Sequence, residues 1–86
     1  MHVVFYSSAF CEPCRVTRGV LAEVVRLVPQ VQVVERDVAR FADEAEADGI
    51  RSTPTVLILD GDGTEVFRAT GAPTVDHVLT AVARAL

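Results

Sequence analysis

The chain has 86 residues, of which 50% are apolar and 23% charged. That length bounds it to one domain of modest stability, and the apolar share excludes a disordered segment. Twelve acidic residues stand against eight arginines and no lysine, a net charge of −4, so the basic footprint of a nucleic-acid binder is missing.

His2–Ser7 is β-branched, aromatic and nearly uniformly apolar through Val3, Val4, Phe5 and Tyr6. It predicts a strand buried on both faces. Ser7-Ser8-Ala9-Phe10 then carries the chain off the sheet. A helix is predicted to begin around Cys11–Pro13, because proline fits a first turn where its missing N–H is not needed. Val16, Val20, Val24 and Leu27 recur at helical spacing, with Leu21, Val25 and Val28 in the adjacent stripe. Arg15, Arg18, Glu23 and Arg26 take the other half of the wheel, and Pro29 ends the element.

Val31–Arg36 alternates over part of its length and reads as a second strand. Asp37 is the predicted N-cap of a short acidic helix, with Val38, Phe41, Ala42 and Ala45 inside and Gly49 at its end. Its run Asp43-Glu44-Ala45-Glu46-Ala47-Asp48 reads as a solvated face. Thr55–Leu59 is a continuous apolar run, Asp60-Gly61-Asp62-Gly63 a tight turn, and Thr64–Ala69 the returning strand of a hairpin. Thr74 caps a last helix with Val75, Val78, Leu79, Val82 and Leu86 on one face and His77 on the other. The order β-α-β-α-β-β-α implies an α/β fold. A four-stranded mixed sheet with helices on both faces is expected, in a single domain over residues 1–86.

Cys11-Glu12-Pro13-Cys14 carries the chemistry. It stands where a strand hands over to a helix, and a helix N-terminus offers unpaired N–H groups and partial positive charge. Both favour thiolate, so Cys11 is expected to ionise below the ~8.5 of a free cysteine. Cys11, before the helix, is the expected nucleophile. Cys14, inside the first turn, is the expected resolving thiol. Pro13 holds the turn, and Glu12 sets a negative charge beside the thiolate. Other readings of the pair are weaker. So short a loop removes little entropy, which argues against a purely structural disulfide. Zinc needs about four ligands, and beyond the cysteines the only soft candidates are His2 and His77, without the paired spacing of a second ligand knuckle, so no metal site is expected. Phe10, just before Cys11, is expected to be partly exposed, either packing locally or offering apolar contact to partners.

Gly49-Ile50-Arg51-Ser52-Thr53-Pro54-Thr55, roughly forty residues on, completes a pattern that resembles the thioredoxin superfamily. The resemblance covers the chain from first strand to last helix. It implies that Pro54 is cis and faces the cysteines. It implies that Thr53 offers its backbone N–H and C=O to an extended substrate segment, and that Gly71 keeps that groove clear. The implied activity is thiol–disulfide oxidoreduction without a bound cofactor, on disulfide-containing protein substrates. Electrons would come from a thioredoxin-reductase-type donor or from a small thiol.

Ile50–Thr55, the Asp-Gly-Asp-Gly turn and Thr70-Gly71-Ala72-Pro73 are thioredoxin-like. The early first strand, without a leading βα unit, and Tyr6, five positions before Cys11, are glutaredoxin-like. The glutaredoxin Gly-Gly-x-Asp-Asp segment is absent. A glutaredoxin-like reductase of mixed disulfides with small thiols therefore stays open, as does a non-catalytic interaction module on the same fold. Phe10 and Glu12 replace the Trp and Gly of thioredoxin. The buried aspartate of its first strand, often paired with a lysine, is also absent from Val3-Val4-Phe5-Tyr6. No apolar run reaches the ~18 residues of a membrane span. The N-terminus has no basic region or cleavage site of a signal peptide. A monomer of the cytoplasm, away from membranes, is expected.

Overall fold

The uniformly apolar first run does form the central strand. A computed structural model describes residues 1–86. Its strands β1 (His2–Ser7), β2 (Gln32–Asp37), β3 (Thr55–Leu59) and β4 (Glu65–Thr70) form one sheet in the order β2-β1-β3-β4. β1 and β2 are parallel, joined through α1 (Glu12–Leu27), while β1–β3 and β3–β4 are antiparallel. Two further helices are α2 (Ala42–Ala47) and α3 (Val75–Ala85). Val3, Val4, Phe5 and Tyr6 are each at most 5% exposed, which is why the run lacks alternation.

Strand alternation divides these side chains between two cores. Val3, Phe5, Val56 and Ile58 pack with Cys14, Leu21 and Val24 of α1 and with Val78, Ala81 and Val82 of α3. Val4, Tyr6 and Leu57 pack on the opposite face with Ala45 of α2. The mixed sheet thus has helices on both faces, as the element order implies.

The helical wheels need adjustment. Thr17, not Val16, faces inward on α1. Val16 and Leu27 are each 47% exposed, while Thr17 is fully buried and its hydroxyl donates to the Pro13 carbonyl at 2.8 Å. On α3, Ala81 takes the buried place expected of Leu86, which is exposed. The Thr74 hydroxyl accepts from the His77 N–H at 3.1 Å, the expected cap.

The second helix is shorter than expected. Asp37 does not cap it but closes β2 in a turn. Its side chain accepts from the Ala39 N–H at 2.8 Å, and its carbonyl accepts from the Arg40 and Phe41 N–H groups at 3.1 and 2.9 Å. Helix therefore starts only at Ala42, and Ala45 is its one buried residue. Gly49 ends it as expected, at φ +68. The Gly49 N–H donates to the Glu46 carbonyl and the Ile50 N–H to the Ala45 carbonyl, the paired bonds of a left-handed helix stop.

So short a helix leaves the α2 face to be completed by polar groups. The Tyr6 hydroxyl donates to Asp48 Oδ2 at 2.6 Å and accepts from the Arg36 guanidinium at 3.0 Å. Arg68 of β4 donates to the Asp48 carbonyl at 2.8 Å. Arg36 also lies over the rings of Tyr6 and Phe41, 5.8 and 5.9 Å from their centroids. Burial, then the Asp48 carboxylate, pushes the Tyr6 phenol above its ordinary value of 10.0.

Candidate active site

β1 ends at Ser7, and the chain crosses from the sheet to α1 through Ser8–Cys11. Phe10 sits in that crossing with φ +57, a left-handed conformation uncommon for a side-chain-bearing residue, and its ring is fully exposed. This backbone turn aims Phe10 outward while the next residue turns in to cap the helix.

Cys11 is the N-cap of α1. Its Sγ accepts from the Cys14 N–H at 3.1 Å, the place a serine or aspartate oxygen takes at other helix starts. Pro13 lies in the first turn, where its missing N–H leaves no bond unmade. Cys11 and Cys14 are joined as a disulfide, with their Cα atoms 5.2 Å apart. Cys11 is half-buried. Cys14 is 1% exposed and belongs to the core beside Phe5, Leu21 and Val24. One sulfur is therefore reachable from solvent and the other only through the first.

Glu12 is exposed, and Arg15 forms a two-pronged ion pair with it. The Arg15 guanidinium holds the Glu12 carboxyl below the usual carboxylate range. The negative charge expected beside the thiolate is thus present but partly balanced one turn on. A groove on the β2 side of Cys11 is also lined by Arg18, Glu35 and Asp37. There Glu35 accepts from both Arg18 nitrogens, at 2.9 and 2.7 Å, and from the Ser7 hydroxyl at 2.8 Å.

The loop before β3 closes the other side. The Thr53–Pro54 peptide is cis, and Pro54 is buried. Thr53 Oγ1 lies 3.9 Å from Cys11 Sγ, which brings the two distant sequence motifs together. The backbone N–H and C=O of Thr53 make no hydrogen bond within the chain. The Gly71 N–H donates to the Pro54 carbonyl at 2.9 Å, so the loop before α3 is tied to the same place. Gly71 has φ +82, and a Cβ there would meet nothing within 4 Å, so its conformation calls for glycine while the space above it stands open.

The segment from Phe10 to Cys14 and the loop at Thr53 and Pro54, with Gly71 tied to it, thus meet around one half-buried sulfur. Sequence reasoning missed Ser8, whose hydroxyl lies 2.6 Å from that of Thr53. It also missed the Ser7–Glu35–Arg18 group, which no local spacing announces. No group of three or more His, Cys, Asp or Glu side chains is placed to hold a metal ion.

The thioredoxin family model matches residues 1–84. The chain belongs to the thioredoxin family. It is similar to Thioredoxin H4-1 of Oryza sativa subsp. japonica, 35% identical over 80 residues, which are 91% of this chain and 60% of that one. It is 30% identical to the thioredoxin of Chlamydia muridarum over 82 residues, 95% of this chain and 79% of that one. Among solved structures, thioredoxin NaTrxh from Nicotiana alata superposes with a TM-score of 0.87 at 28% identity, covering 98% of this chain and 71% of that one. The family assignment fits the β-α-β-α-β-β-α order and the paired cysteines at the start of α1.

Proposed function

We propose that this protein is a thiol–disulfide oxidoreductase that reduces disulfides in other proteins. The observation that carries the reading is the asymmetry of the cysteine pair, with Cys11 accessible at the helix cap and Cys14 shut inside the first turn. In the reduced protein, the Cys11 thiolate attacks one sulfur of a partner disulfide. A mixed disulfide forms, and the partner's other sulfur leaves as a thiolate. Cys14 then loses its proton and attacks Cys11 Sγ. This closes the Cys11–Cys14 bond and releases the second partner sulfur. Two electrons pass to the partner, and an external dithiol or thiol donor returns them.

The surroundings support each part. The Cys14 N–H and the start of α1 stabilise negative charge on Cys11 Sγ. An extended partner segment would pair with the free N–H and C=O of Thr53, with the Phe10 ring as its apolar contact and the space over Gly71 left clear for its backbone. No carboxylate belongs to the core around Cys14, and Glu12 is engaged by Arg15. Cys14 would then hand its proton to water or to a group of the partner, such as the thiolate released in the first step.

Cys14→Ser tests the division of roles. The variant is expected to hold partners as mixed disulfides through Cys11, visible as adducts on non-reducing gels that reductant dissolves. Adducts formed through residue 14 in a Cys11→Ser variant, and none through Cys11, would reverse the assignment. Turnover of insulin disulfides, with a reductase or a small thiol as the electron source, then identifies the donor.

A further inference from the structure

The crossing after β1 and the loop before β3 meet at two hydroxyls beside the reactive sulfur. Ser8 Oγ and Thr53 Oγ1 lie 2.6 Å apart, and Thr53 Oγ1 lies 3.9 Å from Cys11 Sγ. Ser8, Cys11 and Thr53 are all half-buried. A hydroxyl has one proton to donate and can accept others. Two arrangements are therefore open. If Thr53 donates to Ser8, Cys11 has no side-chain donor. If Thr53 donates to Cys11, the Ser8–Thr53 bond exists only with Ser8 as its donor.

The charge on Cys11 decides between them. A disulfide sulfur is a weak acceptor and exerts little pull. A thiolate is a charged acceptor, and it draws the Thr53 proton toward itself. The Thr53 oxygen then receives the Ser8 proton, and each bond polarises the next. The chain runs Ser8 to Thr53 to Cys11 and adds a second donor to the Cys14 N–H that reaches the same sulfur at 3.1 Å.

We propose that Ser8 is a positioning residue for the nucleophile, acting only through the Thr53 hydroxyl to stabilise the Cys11 thiolate. This rests on the reading of Cys11 as the nucleophile. The charged groups around Cys11 are Glu12, Arg15, Arg18, Glu35 and Asp37 on the groove side, with Arg51 beside Thr53. None of them bonds to Ser8 or Thr53, so they act alike in all the variants below.

The test is the pH dependence of iodoacetamide alkylation at Cys11 in the reduced protein, followed by mass spectrometry for wild type, Ser8→Ala, Thr53→Val and the double variant. Ser8→Ala is expected to move the alkylation midpoint up by about half a pH unit, a roughly threefold loss of thiolate below the midpoint. Thr53→Val is expected to move it at least as far. Adding Ser8→Ala to Thr53→Val is expected to change nothing more, because the relay is already cut. Ser8→Thr, which keeps the hydroxyl, is expected to restore the midpoint. A Ser8→Ala shift that persists in the Thr53→Val background, or no shift at all, overturns the proposal. Faster alkylation of Cys14 than of Cys11 overturns instead the nucleophile assignment beneath it.

Discussion

Toward α1 and α3 the sheet is closed by a core of 11 buried residues; toward α2 it is closed by four, and by a polar knot around Asp48. The first face relies on apolar area, which is non-directional and tolerates some repacking. The second relies on hydrogen bonds of fixed geometry, from Tyr6 and Arg68 to Asp48 and from Arg36 to the Tyr6 hydroxyl. Asp48 directly precedes Gly49, and the chain reaches Thr53 and Pro54 within a few residues. The larger core therefore secures the cysteine helix, while the polar knot secures the loop that faces it.

The largest expected break in this comparison comes from Phe5→Ala. Phe5 is 1% exposed in the larger core, and removing a buried ring costs about 3–5 kcal/mol. Urea unfolding should show most of the stability of so small a domain gone. Tyr6→Phe keeps the ring and removes only the hydroxyl, so its cost should be about 1 kcal/mol. It should also speed amide exchange selectively at Gly49 and Ile50, whose N–H groups donate to the Glu46 and Ala45 carbonyls, which Phe5→Ala would not do without unfolding the whole. Equal urea midpoints for the two variants, or unchanged exchange at those two amides, would erase the proposed difference between the faces.

The smallest effect tests the rim of the first face. Hydrogen bonds from the Arg18 guanidinium hold the Glu35 carboxyl below its ordinary value of 4.5, with partial burial opposing and the Ser7 hydroxyl assisting. A group whose ionisation is depressed by folding stabilises the fold above its unfolded value, and that contribution disappears as pH falls through the folded one. Melting temperature should therefore fall more steeply below about pH 4.5 in wild type than in Glu35→Gln. Because the pair is partly exposed, the difference should shrink in high salt. Parallel pH curves would mean that the pair contributes nothing.

Much of this arrangement was legible in the sequence because local chemistry decided it. Val3–Tyr6 and Thr55–Leu59 had no polar alternation to mislead, and Thr74 and Gly49 acted as the cap and stop their residue types suggest. The Cys11–Cys14 spacing at a helix start marked the pair that the structure joins as a disulfide. What escaped depended on distant partners. Asp37 had the chemistry of a cap and also that of a turn, and nothing nearby chose between them. Asp48 read as the end of a solvated acidic run, yet the Tyr6 hydroxyl, 42 residues away, fixes it in place. Thr17 reads as polar until its hydroxyl is seen returning to the Pro13 carbonyl, which lets it be buried. Ser8 gained meaning only when the fold brought Thr53 beside it.

The open N–H and C=O of Thr53 have one more consequence. Backbone groups cannot read side chains. A partner strand that docks there contributes atoms common to every residue, proline alone lacking the donor. Its amino-acid sequence would then contribute little to affinity at that point. Such a protein would be a generalist, sorting clients by how readily an exposed disulfide yields and by whether their backbone can lie extended, rather than by any motif they carry.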